Sequence, residues 1–275
     1  MQAVLPLRNA LMGTETVAPL LYHLVRLTRP RRILEVGMGY TTPFLAQALV
    51  DNEADFAQEH QLLSQKTEPT LLAAERDGGV IGTAAYYEWL HRAPAYAAPA
   101  HYQQRYEPRL VAFDNLSESA EVSTASLVEG VLDALDLRRV TTVHHRDIFE
   151  IRTLMSPRER QFDLFFSDGA ISPGLSDSGR DFFEEFWDLV SPDGGLFVAQ
   201  ALGTTAFTAQ LLARFKAMQA STHANDFELV NLFEPHKLSQ TGLFILRRTS
   251  SKPLRIDADE HLEDAVRFMT EDDHD

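Results

Sequence analysis

The sequence predicts an α/β fold: a doubly wound, mostly parallel sheet of seven strands with helices on both faces. Two observations carry this. Short apolar runs alternate with helical patterns five times, an order that demands parallel strands and crossover helices. Two further strands, Phe227 to Phe233 and Gly242 to Arg248, then close the sheet. A third observation points to where such a sheet works. Successive strands end in acids, and the first also turns through a glycine pair.

Residues 1–13 read as a loosely docked arm. From Thr14 to Thr28, the residues Val17, Leu20, Leu21, Leu24 and Val25 recur at helical spacing, and Pro30 ends the helix. Ile33-Leu34-Glu35-Val36 forms the first strand, which turns through Gly37-Met38-Gly39. Thr42 is a good N-cap and Pro43 fits the first helical position, so a helix follows to about Val50. The second strand is Arg109 to Phe113, ending in Asp114; Asn115 to Glu118 has capping-box spacing for a helix reaching Leu137. Val140 to His144 is the third strand, closing on Arg146-Asp147, and Phe162 to Ser167 the fourth, ending in Asp168. An amphipathic helix, Arg180 to Val190, leads to the turn Ser191-Pro192-Asp193-Gly194-Gly195 and a fifth strand, Leu196 to Gln200. A helix from about Thr205 to Met218 precedes the last two strands.

Residues 51–108 interrupt this alternation. The segment starts polar and acidic, with hints of short helices at Leu62-Leu63 and Leu71-Leu72, then passes Asp77-Gly78-Gly79 into an aromatic stretch. A structureless loop of that length is improbable in a compact domain, so it reads as an inserted, folded segment. The expected organisation is a core of residues 1–50 and 109–250, the insertion 51–108, and an acidic tail 251–275.

Composition narrows the function. Acidic residues number 40 against 25 basic ones, and such a surface repels phosphate backbones and anionic lipid. Nucleic acid is therefore a poor partner. The absence of cysteine excludes disulfides, thiolate metal sites and a cysteine nucleophile. No apolar run approaches the ~20 residues that span a bilayer, and the N-terminus lacks a secretory layout. A cytoplasmic protein acting without a membrane is the expectation.

Open parallel sheets take ligands at the carboxyl ends of their strands, near the point where strand order reverses. The residues there are Glu35, Gly37, Gly39, Asp114, Asp147 and Asp168. Strand, Gly-x-Gly turn and helix N-terminus bring bare backbone to a ligand. A carboxylate such as Asp114 matches a sugar diol, although an N-cap is its ordinary alternative use.

In order and spacing these motifs resemble those of the class I S-adenosylmethionine-dependent methyltransferases, over about residues 15–50 and 109–250. The resemblance implies a Rossmann-like methyltransferase fold and S-adenosylmethionine as cofactor. It assigns Glu35, Gly37 and Gly39 to the methionine part and Asp114 to the ribose, with Tyr40, Thr41 and Asn115 also at the cofactor; Asn115 is the better helix cap, which leaves Asp114 free. Asp147 and Ile148 fall to the adenine, and Asp168 to the reacting end. Thr41 stands where a fuller motif has a third glycine. The gap from Gly39 to Asp114 exceeds the usual ~20 residues, and Glu75 would shorten it; Asp114 is preferred because a helix and a third strand follow it.

The implied reaction is methyl transfer to O or N of a small, aromatic or heterocyclic molecule. Its base, where one is needed, would come from Asp168, His145, His144 or His101. Tyr86, Tyr87, Trp89, His91 and Tyr102 of the insertion offer flat surfaces with polar tips for that substrate, as a lid over the pocket. A packing flange or homodimer interface is the competing reading of the same segment. Gly169-Ala170-Ile171 supplies no ligands beside Asp168, so no metal is expected. Two other functions fit the fold: aminopropyl transfer, and a non-catalytic S-adenosylmethionine-binding regulatory or assembly protein.

Overall fold

The computed structural model describes residues 2–8, 13–77, 84–95, 97–116, 125–168, 185–201, 227–237 and 242–249, with scattered positions between 209 and 220. Seven strands form one sheet: β1 (Arg32–Val36), β2 (Arg109–Phe113), β3 (Thr141–His144), β4 (Leu164–Asp168), β5 (Leu196–Ala201), β6 (Phe227–Phe233) and β7 (Gly242–Arg248). Their order is β3-β2-β1-β4-β5-β7-β6. The first five run parallel, and β7 lies antiparallel to both β5 and β6. This is the doubly wound, mostly parallel seven-stranded sheet that the alternation predicts. Strand order reverses between β1 and β4, which sets the ligand-binding crevice of such a sheet at the end of β1.

Alternation along the strands divides the core in two. Ile33, Leu110, Leu164, Phe166, Leu196 and Val198 pack on one face under α1 (Val17–Thr28), the start of α2 (Thr42–Asp77) and α5 (Ala125–Ala134). Leu34, Val36, Val111, Phe113, Phe165 and Phe197 pack on the other, against Ile148, Ile151, Phe186 and Leu189. Strands buried on both faces read as nearly continuous apolar runs, which is why these were visible in the sequence. Glu35 breaks that pattern, and it is fully buried.

Several boundaries differ from expectation. The Thr41 carbonyl accepts from Phe44 and Leu45 N–H (3.0 Å each), so Thr41 is the cap of α2 and Pro43 its second residue. Thr42 Oγ1 instead accepts from Gly39 N–H at 3.1 Å. The larger correction is that α2 does not end near Val50 but runs on to Asp77. Glu75 therefore lies within a helix and not at a strand end, which leaves the end of β2 to Asp114. The expected helix starts at Ser117, Arg180 and Thr205, the Gly169-Ala170-Ile171 stretch and the tail 251–275 lie wholly or largely outside the described residues.

By internal contacts the chain divides into two compact units, one of Met1–Val50 with Pro108–Lys252, the other containing Asp51–Glu107. The second has its own core, four aromatic rings (Phe56, Trp89, Tyr102 and Tyr106) with Leu63. Phe56 stacks on Tyr102 and Tyr106 with ring centres 5.0 and 5.7 Å away. Polar tips are tied inside the unit: Tyr102 donates to Glu59 (2.8 Å), Trp89 Nε1 to Thr67 (3.2 Å). Lys66, almost fully buried, donates to the carbonyls of Trp89, Arg92 and Pro94 at 3.3, 3.3 and 2.7 Å. No helix among the described residues is long and apolar enough to cross a membrane.

Candidate functional site

The turn after β1 is made tight by one glycine and left open by another. Gly37 has φ +87°, and a Cβ on it would meet the Asp168 carbonyl oxygen at 2.9 Å. Only glycine lets the turn lie this close to the end of β4. At Gly39 a Cβ would meet nothing within 4 Å. The second glycine leaves backbone bare and space beside it, where this topology takes its ligands.

Asp114 follows β2 and is half-buried. Its Oδ2 accepts from Met38 N–H at 3.1 Å and its Oδ1 from Leu116 N–H at 2.8 Å. The carboxylate thus ties its own turn and fixes the glycine turn of β1. Each oxygen keeps a second lone pair, so both remain able to accept from a diol. Asn115 beside it is exposed. Asp147 caps the short helical turn Ile148–Glu150, accepting from Phe149 N–H at 3.0 Å, and Ile148 behind it is buried.

Glu35 is wholly buried on β1. Its Oε1 accepts from the Thr41 hydroxyl at 2.7 Å, and Oε2 has no hydrogen-bond partner among the described residues. Burial pushes its pKa up to about 8; the Thr41 and Thr42 hydroxyls oppose that rise, and the Asp168 and Asp114 carboxylates add to it. Below that pH Glu35 holds its proton, and the charge around the turn comes from the Asp114 and Asp168 carboxylates. Tyr40, half-buried, packs its ring on Phe44 with centres 5.0 Å apart.

The structure does not bring every candidate together. His145 follows the edge strand β3 and pairs its Nε2 with Glu129 Oε1 of α5 at 2.6 Å. Three strand spacings, about 14 Å, separate β3 from β4 and Asp168. His144, half-buried, stacks on Phe113, and burial lowers its pKa. His101, in α4 (Pro99–Tyr102), meets Phe56 edge-on at 5.7 Å inside the second unit. Of the aromatic candidates, Trp89 and Tyr102 are core residues of that unit. Tyr87 and His91 of α3 (Ala84–His91) are exposed, and Tyr86 belongs to the same helix. Among the described residues no group of three His, Asp or Glu gathers to hold a metal.

A search for acids at strand ends misses Gln200. It pairs in register with Asp168, is 2 % exposed, and donates from Nε2 to the Gly13 carbonyl at 3.2 Å. A polar residue closing an otherwise apolar strand, Leu196-Phe197-Val198-Ala199-Gln200, was the available signal.

No protein-family model matches the sequence, and no curated protein matches it. Solved structures do resemble the fold. One is the O-methyltransferase TomG from Streptomyces achromogenes, involved in tomaymycin synthesis and solved with S-adenosylmethionine (18% identity, 86% of this chain and 80% of that one, TM-score 0.49). Another is an O-methyltransferase from Bacillus cereus solved with S-adenosylhomocysteine (14% identity, 86% and 81%, TM-score 0.48). A third is the S-adenosylhomocysteine-bound methyltransferase PaMTH1 of Podospora anserina (13% identity, 85% and 78%, TM-score 0.45).

Proposed function

We propose that this chain is a class I methyltransferase that binds S-adenosylmethionine and methylates O or N of a small molecule. The observation that carries the reading is the Met38–Asp114 hydrogen bond, which fixes an open glycine turn beside a carboxylate at the switch point of the sheet. The fit to the cofactor has independent support. A Cβ at Gly39 would occupy open space, and Glu35 Oε2 is a buried acceptor lacking a donor. An open approach to backbone and an unpaired buried carboxyl oxygen together support a ligand beside this turn.

On this reading Gly37, Met38 and Gly39 line the amino-acid end, with Glu35 holding the turn through Thr41. Asp114, with Asn115 beside it, takes the ribose hydroxyls; Asp147 and Ile148 take the adenine. The bound cofactor supplies a methyl group activated on sulfonium. The chain's own contribution is positioning, which accounts for much of the rate in such transfers. Asp168 lies against Gly37 at the head of the crevice and is the base best placed to take a proton from the acceptor. The acidic surface, 40 acids against 25 bases, favours a small acceptor over a nucleic acid.

Calorimetry with S-adenosylhomocysteine tests the binding half, and transfer of labelled methyl to a panel of phenols and amines tests the chemistry. Saturable binding at one site, weakened by Asp114→Ala, is expected. A wild-type chain that binds no S-adenosylhomocysteine sinks the reading. Binding without transfer to any acceptor leaves a cofactor-binding regulatory protein instead.

A further inference from the structure

Gln200 lies at the carboxyl end of β5, one residue before its last, in register with Asp168 of β4. Register partners on adjacent strands project to the same face, as do residues two apart on one strand. Glu35 pairs with Phe166, two residues before Asp168, so Glu35, Asp168 and Gln200 share a face at one end of the sheet.

The Gln200 amide is locked in one orientation. Its nitrogen donates to the Gly13 carbonyl, which also accepts from Lys237 Nζ at 3.0 Å. Lys237 is held in turn by Glu15 at 3.0 Å and Glu234 at 3.1 Å. Turning the amide over would press Oε1 against a carbonyl oxygen, an acceptor against an acceptor. Oε1 is therefore the end left over, buried and without a donor among the described residues. Buried amide oxygens are almost always paired, so one that is not calls for a partner from outside the chain.

We propose that Gln200 Oε1 recognises a hydrogen-bond donor, a hydroxyl or an amine N–H, on the methyl-accepting molecule. This rests on the methyltransferase reading above. Along the carboxyl edge Asp147, Asp114, the glycine turn and Asp168 follow β3, β2, β1 and β4. Gln200 comes next, on β5, one strand spacing of about 4.8 Å beyond Asp168. With base and sugar on the β2–β3 side, the β4–β5 side is what remains for a second molecule. Two acceptors there, the Asp168 carboxylate and Gln200 Oε1, select a molecule that donates. The same pair discriminates against an analogue that lacks the donor, because only a donor supplies the bond that Oε1 is missing.

The test uses the full chain saturated with S-adenosylhomocysteine and two probes of matched shape, phenol and toluene, titrated by ligand-observed NMR. Wild type is expected to bind phenol about five- to tenfold tighter than toluene, the worth of one hydrogen bond. Gln200→Leu and Gln200→Met should bind both probes within about twofold of each other and keep their S-adenosylhomocysteine affinity within about twofold. Equal binding of the two probes by wild type, or binding of neither, overturns the proposal. So does discrimination that survives in a variant, which would leave Gln200 a buried amide serving an ordered water. Loss of S-adenosylhomocysteine binding in both variants assigns Gln200 to core packing and also overturns it. Failure of wild type to bind S-adenosylhomocysteine is a separate result that removes the methyltransferase reading itself.

Discussion

Met38 and Asp114, 76 positions apart in sequence, meet through a 3.1 Å hydrogen bond from the Met38 backbone N–H to Asp114 Oδ2. The bond joins the turn after β1 to the end of β2 across the insertion that separates them in the chain. It gives Asp114 two tasks, fixing the turn and presenting a carboxylate. Asp114→Ala removes both. S-adenosylhomocysteine affinity should fall by about 10- to 150-fold, the value of a charge-assisted hydrogen bond. Asp114→Asn keeps an acceptor for Met38 and should lose less. Calorimetry on the two variants separates these outcomes, and equal losses would mean that the charge itself is what matters.

Glu35 makes the site sensitive to pH. Burial, and then the nearby Asp168 and Asp114 carboxylates, raise its pKa to about 8 against the Thr41 and Thr42 hydroxyls. Between the ordinary glutamate range and pH 8 the folded chain holds a proton that the unfolded chain has released. Stability from this group therefore falls as pH rises through that window and levels off above it. Glu35→Gln removes the slope. Its urea midpoint should gain on wild type from about pH 5 to about pH 8, by up to roughly 4 kcal/mol of stability. A cationic ligand favours the ionised acid, so binding near neutral pH should release a proton. Calorimetry in buffers of different ionisation heat reads that proton directly; a binding heat independent of buffer excludes the linkage.

The sheet was legible because its strands are buried on both faces, and the acids at their ends stand out against apolar runs. Asp114 was legible because a strand preceded it and a helix and strand followed. The course of α2 was not. Its buried positions beyond Val50 include Asn52, Phe56, Leu63, Lys66 and Thr67, which keep a helical spacing. Three of those five are polar, so a search for apolar periodicity loses the helix where its buried face becomes mixed. Trp89 and Tyr102 belong to the same mixed interior. Their polar tips suggested a surface for substrate, yet Thr67 and Glu59 satisfy those tips within the unit.

Lys66 tests how that mixed face is held. Its ammonium serves three carbonyls and lies 4.4 Å from the centre of the Trp89 ring. Burial lowers its pKa to about 8, which leaves it mostly charged at neutral pH. Lys66→Met fits the volume but strands three acceptors, and should destabilise the second unit by about 2–4 kcal/mol. Trp89 reports the change, since its emission shifts red when the unit opens. A variant whose Trp89 emission and urea midpoint match wild type would show that the carbonyls find other donors.

The two glycines of the β1 turn should fail in opposite ways. Alanine at Gly37 forces a side chain into φ +87° and drives its Cβ to 2.9 Å from a backbone oxygen of Asp168, which cannot swing aside as a side chain would. Gly37→Ala should therefore cost about 2–4 kcal/mol of stability, from backbone strain and overpacking together. Alanine at Gly39 meets nothing within 4 Å and has no positive φ to resist it. Gly39→Ala should leave stability within about 0.5 kcal/mol of wild type. Its methyl, however, projects into the space where the turn would approach the ligand, so S-adenosylhomocysteine affinity should drop by about tenfold or more. Urea melts and calorimetry on the pair read the two effects separately. If Gly39→Ala binds as wild type does, the open space beside this turn is not where the ligand lies, and the amino-acid end of the site has to be sought elsewhere on the carboxyl edge.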